Sequence, residues 1–356
     1  RNIQSLFKDG KGFLVKMKVY EKDIDFVTQL ILPWEKLNNR TILISGATGM
    51  IGSFLIHVLM KRPESIRIIA LGRNKETAKK RFREYWGIDN FQFISHDINQ
   101  PLQNIGISDY VIHAASNTHP ISYASDPIGT ITTNVIGTYH LLNYAVQCSV
   151  HRFLFMSSVE IYGENRGDIE YFNEKYCGYI DCNTMRAGYP ESKRAGEALC
   201  QAYRKANELD IVIARAARTY GPTMLYEDTK AISQFIKNGL EKKDIVLKSE
   251  GNQLYSYNYV ADSVSGLLTI LLKGNDGEAY NISDCNSNYT LKQLASLIAN
   301  LTGVNIKYEI PSVLEQSGYS KATKALMDST KLEKLGWKAH WNMENGIKHT
   351  LEYLNS

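Results

Sequence analysis

The segment TILISGATGMIG at residues 41–52 decides the fold. Its first five residues form a short run of the β-branched and aliphatic type found in buried strands. The glycines that follow make a tight turn, and the apolar residues after them predict a helix over about 50–61. A strand, a glycine turn and a helix in this order form the opening unit of a parallel sheet.

The same alternation continues on the C-terminal side of this segment. Right-handed crossovers between parallel strands place helices on both faces of the sheet. The sequence therefore predicts an α/β fold, a doubly wound Rossmann-type parallel sheet. Its further strands are predicted at 66–71, 91–95, 110–114, 153–156 and 210–214, and its long helices at about 128–147 and 190–207.

The alternation weakens toward both ends of the chain. Residues 1–39 form an N-terminal extension with a predicted helix over 20–32 that ends before Pro33. We assign 40–221 and about 253–283 to a dinucleotide-binding domain, and about 222–252 and 284–356 to a smaller C-terminal substrate-binding lobe. Ligands of such sheets bind beyond the carboxyl ends of the strands, so we expect the lobe to close over that edge.

The composition excludes several classes of protein. The chain has 356 residues, 44% of them hydrophobic, and a formal net charge of +4. The sequence lacks the clustered basic face that a nucleic-acid-binding protein needs, and it has no apolar run long enough to span a membrane. Its histidines and cysteines lack the spacing of metal ligands. Five scattered cysteines without a C-x-x-C pair favour a reducing compartment, so we expect a cytoplasmic protein.

The glycine turn is the first candidate site. Gly46, Gly49 and Gly52 have the spacing G-x-x-G-x-x-G. Such glycines let the backbone approach a pyrophosphate, which is bound at the N-terminus of the following helix. A simple strand-to-helix turn is the alternative, but the flanking strand and apolar helix favour a dinucleotide site. Its predicted members are Gly46, Thr48, Gly49, Met50, Ile51 and Gly52.

The end of the second strand bears on the choice of dinucleotide. An acid commonly binds the adenosine ribose there, whereas this chain has Arg73. That arginine could face a 2′-phosphate, which would favour NADP, could cover the adenine of NAD, or could be solvated; we favour NAD. Asp97, after the third strand, could accept a hydrogen bond from the adenine amine or cap a helix.

A second candidate site lies further along the chain. Tyr189 and Lys193 are four residues apart and therefore share one face of the predicted helix. A nearby ammonium should lower the pKa of Tyr189 from its ordinary value of about 10, which makes Tyr189 a candidate general base for a sugar hydroxyl. Ser158 ends the fifth strand, where it could hydrogen-bond the same substrate oxygen or cap the loop.

Together these segments resemble the extended short-chain dehydrogenases/reductases, the NAD-dependent epimerase/dehydratase group that acts on nucleotide sugars. The resemblance runs from about residue 41 to 354. It implies a triad of Ser158, Tyr189 and Lys193, and a tightly held NAD that takes a hydride from sugar C4 and returns it. It also implies a nucleotide-diphosphate-sugar substrate. The further cofactor contacts that it implies are Asp97, Ile98, Ala114, Ala115, Asn134, Tyr189 and Lys193.

Glu160 bears on the chemistry that follows oxidation at C4. It lies two residues beyond Ser158, so strand alternation would turn both side chains toward the site. Dehydratases of this family carry an Asp-Glu pair where this chain has Val159 and Glu160, which disfavours dehydration, and epimerases carry small or uncharged residues at both places. UDP-glucuronate decarboxylases keep the Glu without the Asp.

The segment before the candidate base resembles the same subgroup. Residues 186–194 match the decarboxylase pattern R-A-x-Y-x-E-x-K-R. In that subgroup Arg186 would meet the sugar carboxylate; otherwise it is a loop cation. The resemblance thus favours decarboxylase-like or epimerase chemistry, with Glu160 as a further catalytic residue.

Two departures from the family concern the substrate. This chain has Arg218 where the family usually has Asn, and Tyr255 where it usually has an Arg for the substrate diphosphate. Either the positive charge has moved to Arg218, or the substrate differs from the common UDP-hexoses. We expect Arg186, Arg218 and Tyr255 to bind the substrate.

Other interpretations stay open from the sequence. A dinucleotide-binding sensor would keep the fold and lose turnover, and a two-substrate NADP-dependent reductase would release its cofactor after each cycle. By analogy with the family we expect a homodimer formed through the helices at 128–147 and 190–207. Apolar residues on these helices could serve that interface or the sheet: Leu141, Leu142, Ala145, Leu199 and Tyr203.

Overall fold

The computed structural model describes residues 10–118, 123, 125–312 and 322–355. The strands are β1 (Thr41–Ser45), β2 (Arg67–Gly72), β3 (Phe91–Ser95), β4 (Tyr110–His113), β5 (Arg152–Ser158), β6 (Ile211–Ala216), β7 (Arg218–Tyr220), β8 (Ile245–Leu247), β9 (Leu254–Tyr259), β10 (Ala279–Ile282), β11 (Asn288–Thr290), β12 (Ile306–Tyr308) and β13 (Lys324–Ala325). The helices are α1 (Gly10–Thr28), α2 (Met50–Met60), α3 (Lys75–Arg81), α4 (Pro127–Gln147), α5 (Gly188–Asn207), α6 (Ala231–Leu240), α7 (Val260–Lys273), α8 (Leu291–Thr302), α9 (Thr330–Glu333) and α10 (Met343–Asn355).

Seven parallel strands form the central sheet in the spatial order β3-β2-β1-β4-β5-β6-β10. Each strand alternates between two cores: Ile42 and Ile44 of β1 pack on the side of α2 and α7, and Leu43 on the side of α4 and α5. Helices therefore cover both faces, which confirms the doubly wound Rossmann-type sheet. The predicted strands of this sheet and its long helices lie within two residues of their observed bounds.

Two smaller sheets lie outside the central one. β9 pairs with β11, β13 and β7, while β12 pairs with β8. β9 falls within the stretch 253–283 that the sequence places in the dinucleotide-binding domain, whereas α7 packs on the central sheet and β10 joins it. The division into a dinucleotide-binding domain and a lobe stays a prediction. The arrangement brings β7 and β9 to the carboxyl end of β5 and β6, where ligands of such sheets bind.

The N-terminal helix is part of the main core. α1 begins and ends earlier than the predicted helix over 20–32, and it packs against α10, α2 and α7. Tyr20, Ile24 and Val27 are buried in this core. Asp23 is buried with them; it accepts a hydrogen bond of 2.6 Å from the Tyr259 hydroxyl. Its other oxygen lies 2.9 Å from Nδ1 of His349 on α10, so one carboxylate joins both ends of the described chain to β9.

The Asp23–His349 pair should make stability depend on pH. The hydrogen bond to Asp23 raises the pKa of His349 above its ordinary value. The stabilising contribution is then complete below the unfolded-state pKa of about 6.5 and is lost as the pH rises through the folded-state pKa. We expect His349→Gln to remove about 1–2 kcal/mol at pH 6 and less at high pH. Denaturant unfolding at several pH values measures this.

A matched control is His151→Gln. Nε2 of His151 lies 3.5 Å from Asp109, but the side chain is half exposed, so water screens the pair. This variant should lose no more than about 0.5 kcal/mol. An equal effect of both substitutions would show that the contact of His349 with buried Asp23 adds no stability beyond that of an exposed pair.

The helices expected at a dimer interface bury several apolar residues against their own sheet. Leu141, Leu142 and Ala145 are fully buried in the core on the α4 side, and Leu199 and Tyr203 pack on that core. Leu141, Leu142 and Ala145 therefore serve the sheet, whereas both alternatives stay open for the partly buried Leu199 and Tyr203. Across the described ranges, no helix combines the length and apolar character needed to cross a membrane. In that same part of the chain, no group of three or more metal-ligating side chains is found.

Candidate active site

The glycine turn lies at the carboxyl end of β1, beside the end of β4. Gly46 has φ +70°, and a side chain there would lie 2.7 Å from the backbone of Ala114 and Ala115. Gly52 is in the first turn of α2, where a side chain would lie 2.4 Å from the carbonyl oxygen of Gly46. Gly49 caps the helix with extended backbone. The glycines therefore keep the N-terminus of α2 clear of side chains.

This turn fits the pyrophosphate of a dinucleotide. The N–H groups of the first helical turn, from Met50 to Gly52, have no acceptor within the helix, and they carry the positive end of the helix dipole. The Met50 and Ile51 side chains pack against the core, which leaves the backbone to face a ligand. Thr48 lies beside Gly72 at the end of β2. The predicted members of the turn thus lie together.

Gly46→Ala should weaken dinucleotide binding by at least about tenfold, because the left-handed backbone and the Ala114 contact both oppose a side chain. Mass spectrometry of the protein as purified measures the retained dinucleotide. Gly49→Ala is the comparison, since its side chain would approach only the Gly46 carbonyl, at 3.2 Å. Equal retention of dinucleotide by both variants would show that the backbone turn at Gly46 does not hold the cofactor.

The residues predicted to bind the adenosine end lie after β2 and β3. Arg73 is exposed, and its carbonyl accepts a hydrogen bond of 3.0 Å from Ser95. Asp97 is also exposed, and its carboxylate accepts the N–H of Asn99 at 3.0 Å. That contact makes a local turn, so Asp97 does not cap a helix as the alternative supposed. Ile98 is buried against α4.

The end of β4 joins this turn to the second site. The N–H groups of Ala114 and Ala115 donate to the carbonyl and the hydroxyl of Ser45, each at 3.3 Å. The amide oxygen of buried Asn134 accepts from the Ser116 hydroxyl at 2.8 Å, and its nitrogen donates to Ser192 at 2.9 Å. Both ends of the Asn134 amide are thus used within the protein, and Asn134 orients Ser116.

Tyr189 lies buried in the first turn of α5. Its ring stacks on Tyr123 with 4.8 Å between centroids, and the hydroxyls of Ser158 and Ser116 are near enough to its own hydroxyl to lower its pKa. Burial raises the pKa of Tyr189 to about 12, and the two serine hydroxyls oppose this only in part. Tyr189 and Ser158 therefore lie together, and their catalytic roles stay a prediction. The expected lowering of the tyrosine pKa is wrong for the protein chain by itself.

Lys193 explains that difference. Its ammonium donates a hydrogen bond of 2.8 Å to the carbonyl of Met156 in β5 and lies 5.0 Å from the centre of the Phe155 ring. Burial lowers the pKa of Lys193 to about 8. The lysine is thus held by the end of the strand, and the cation that favours the phenolate of Tyr189 is Arg186.

Glu160 reaches the site by a different route from the one expected. β5 ends at Ser158, and a short 3₁₀ turn over Val159–Tyr162 replaces the strand alternation. The Ser158 hydroxyl accepts the N–H of Glu160 at 3.3 Å, so Ser158 caps this turn as well as contacting Tyr189. The turn places the Glu160 carboxylate between two guanidinium groups.

These two cations come from separate elements. Arg186, in a 3₁₀ turn before α5, donates to Glu160 at 2.7 Å. Arg218, in β7, lies 3.4 Å from the other carboxylate oxygen. Burial alone would raise the pKa of Glu160, but the two arginines lower it below its ordinary value. Glu160 is therefore ionised at neutral pH.

The three charged residues line one pocket. Its wall includes Val159 and Pro190 beside Glu160, Arg186 and Arg218. Tyr255 lies just behind this wall, where its ring faces Arg218 with 3.5 Å between the guanidinium carbon and the ring centroid. The structure thus brings together the three residues that the sequence predicts to bind substrate.

Two contacts of Tyr189, with Ser116 and with Tyr123, were not predicted from the sequence. Ser116 follows the Ala114-Ala115 pair, and a search for hydroxyls after the carboxyl ends of strands would have found it. Tyr123 carries no such signal, because only the folded chain stacks it on Tyr189.

Comparison with known proteins assigns the family. The family model for the NAD-dependent epimerase/dehydratase family matches residues 42–283. UDP-glucuronic acid decarboxylase 1 of Xenopus tropicalis is 32% identical over 317 residues, which cover 89% of this chain and 72% of that protein. UDP-glucuronic acid decarboxylase 3 of Arabidopsis thaliana is 33% identical over 309 residues, 87% of each chain.

Solved structures share the fold. UDP-glucose 4-epimerase of Thermotoga maritima, solved with UDP-glucose, has a TM-score of 0.77 at 24% identity, over 88% of this chain and 98% of that one. UDP-glucuronic acid 4-epimerase of Bacillus cereus, solved with UDP-glucuronic acid and NAD, has a TM-score of 0.75 at 24% identity over the same shares.

The chain belongs to the NAD-dependent epimerase/dehydratase family. It is therefore an enzyme of the epimerase/dehydratase type with NAD as its cofactor, which confirms the expectation of NAD.

Proposed function

We propose that this enzyme oxidises the C4 hydroxyl of a nucleotide-diphosphate sugar and later reduces the 4-keto sugar, with decarboxylase-like or epimerase chemistry between the two steps. The contact of Tyr189 with Ser158 carries the proposal, because it lies at the carboxyl end of the sheet, two strands along from the glycine turn. The names of its relatives, UDP-glucuronic acid decarboxylases, support a UDP-sugar.

Different residues of the chain bind the cofactor, transfer the proton and orient the substrate. The turn at Gly46 and the N-terminus of α2 hold the pyrophosphate. Tyr189 takes the proton of the C4 hydroxyl, while Ser158 and Ser116 orient the reacting oxygen. Arg186 favours the phenolate of Tyr189 electrostatically. NAD, when bound, supplies the acceptor and donor of the C4 hydride and a positively charged ring.

Glu160 and its neighbours favour decarboxylase-like or epimerase chemistry over dehydration. Val159 offers no acid for expulsion of a C6 hydroxyl, which disfavours dehydration. Glu160, ionised between two arginines, can accept a proton at C5 or orient the ring, and Arg186 can meet a carboxylate. Assignment as a lyase or an isomerase belongs to this proposal.

A panel of UDP-, dTDP-, CDP- and GDP-sugars with product analysis by NMR tests the function. The proposal expects a C4 epimer or a decarboxylated sugar from one of them without net consumption of dinucleotide. Retained dinucleotide with no conversion of any sugar would instead indicate a sensor. Stoichiometric consumption of added reduced dinucleotide would indicate a two-substrate reductase.

We also propose a homodimer in the cytoplasm. The outer face of α4 carries exposed apolar side chains, Ile128, Ile131, Ile136 and Tyr139, and a second copy of α4 and α5 would bury them. The cysteines are free, and three of them, Cys177, Cys182 and Cys285, are exposed, which suits a reducing compartment. A monomeric mass by light scattering at micromolar concentration would contradict the dimer.

A further inference from the structure

In the pocket beside Tyr189, two buried guanidinium groups share one buried carboxylate. Among the described residues, Glu160 is the single carboxylate between Arg186 and Arg218, and the side chains of Glu160, Arg186 and Arg218 are only 19, 11 and 18% exposed. Two other carboxylates line the pocket, but Glu164 lies 3.8 Å from Arg166, and Asp181 accepts the N–H of Asn183. A buried charge without a counter-charge is costly, so an anion from outside the chain would complete this cluster.

Unused hydrogen-bond donors point to the same conclusion. Nε and Nη1 of Arg186 and Nη1 of Arg218 are buried, and among the described residues they have no hydrogen-bond acceptor. Buried donors are rarely left in this state, and guanidinium groups match the two oxygens of a carboxylate in particular. The donors belong to the two arginines that share the carboxylate of Glu160.

Arg218 is held in a fixed place by its strand. β7 pairs with β9 so that Arg218 lies opposite Tyr257, and Tyr255, two residues before Tyr257, lies on the same face. The Arg218 guanidinium stacks on the Tyr255 ring at 3.5 Å. The Tyr255 hydroxyl donates to the carbonyl of Ala322 at 2.8 Å, which fixes the ring. A stacked guanidinium is oriented before any ligand arrives.

We propose that Arg218, stacked on Tyr255, determines specificity by binding a carboxylate on the sugar ring of the nucleotide sugar, with Arg186 on its other side. The inference rests on the proposed function and names its substrate class, a nucleotide-linked uronic acid. The diphosphate also offers anionic oxygens. The ring carboxylate is the better match for these arginines. They share a pocket wall with Pro190, which adjoins Tyr189 in the chain, and Tyr189 is the residue proposed to act on the sugar ring.

Calorimetric titration of the NAD-loaded enzyme with UDP-glucuronic acid, UDP-glucose and UDP tests this. The wild type should bind UDP-glucuronic acid at least about tenfold more tightly than UDP-glucose. Arg218→Gln should abolish that preference and change the affinity for UDP-glucose and UDP less than about threefold. Equal weakening of all three ligands would assign Arg218 to the diphosphate and overturn the proposal.

Further variants protect the test from a folding defect. Tyr255→Leu removes the stacking surface and should lose most of the preference, whereas Tyr255→Phe keeps the ring and most of the preference. Arg166→Gln is the matched control, since Arg166 also stacks on a tyrosine, Tyr179 at 4.0 Å, but is exposed; it should bind as the wild type does.

The proposal and the proposed function fail in different ways. Equal binding of UDP-glucose and UDP-glucuronic acid by the wild type would overturn the carboxylate subsite and leave C4 chemistry intact. Conversion of no sugar in the product panel would overturn the function itself.

Discussion

Tyr189→Phe should slow turnover by about two to four orders of magnitude, while the dinucleotide stays bound. The substitution keeps the ring that stacks on Tyr123 and removes only the hydroxyl that meets Ser158 and Ser116. The packing of the first turn of α5 is therefore preserved. Initial rates of product formation and mass spectrometry of the bound dinucleotide give the two readouts. Activity within about tenfold of the wild type would remove Tyr189 from the mechanism.

The control for this variant lies on the same helix. The Tyr203 hydroxyl donates to Asn143 at 2.6 Å, on the side of α5 that faces α4. Tyr203→Phe also deletes one hydroxyl and one hydrogen bond, but far from the pocket. It should lower stability by about 1 kcal/mol and leave the rate unchanged.

Glu160→Gln should reduce turnover at least about tenfold and also destabilise the fold. Glutamine is nearly isosteric but leaves Arg186 and Arg218 without their counter-charge. Breaking a buried ion pair from one side costs about 3 kcal/mol, more than most surface substitutions. If Glu160 is the base at C5, solvent deuterium should no longer enter C5, while oxidation at C4 still occurs.

The stability effect has a definite pH dependence. The two arginines lower the pKa of Glu160, so its stabilising contribution is present above the unfolded-state pKa and is lost as the pH falls through the folded-state pKa. Wild type and Glu160→Gln should therefore converge in stability under acid conditions. A constant difference down to the lowest pH at which the protein folds would mean that the charge of Glu160 is not what stabilises this cluster.

A second variant, Glu197→Gln, shows whether Glu160 has a structural role or a chemical one. Glu197 and Arg215 form another buried ion pair, at 2.6 Å, which does not line the pocket. This variant should lose similar stability and retain deuterium exchange at C5. Full exchange in Glu160→Gln with only a lowered melting temperature would show that Glu160 is structural, and would favour a plain 4-epimerase.

The central sheet was predictable because its sequence signals are local. The β-branched run at 41–45 and the three glycines after it depend on neighbours in the chain, so pattern and structure agree there. Two of these glycines are required by close backbone contacts, since a side chain at Gly46 would lie 2.7 Å from Ala114 and one at Gly52 would lie 2.4 Å from the Gly46 carbonyl oxygen.

The charge arrangement of the site was not predictable in the same way. Tyr189 and Lys193 share a helix, but sequence spacing does not show that the Lys193 ammonium binds the Met156 carbonyl. The pairing of Glu160 with Arg186 and Arg218 joins residues 26 and 58 positions apart. Such contacts depend on how β7 and the turn before α5 meet, which is a property of the whole fold.

The contacts of Asp23 with Tyr259 and His349 have a consequence for the order in which the chain folds. Its partner His349 is 326 residues further along, so α1 cannot complete its contacts until almost the whole described chain has left the ribosome. Contacts of such long sequence separation form late and slowly. During synthesis α2 and α7 can cover part of the apolar face of α1, but the part that α10 covers stays exposed or is held by a chaperone. Closure of α1 onto α10 is then a late event of folding.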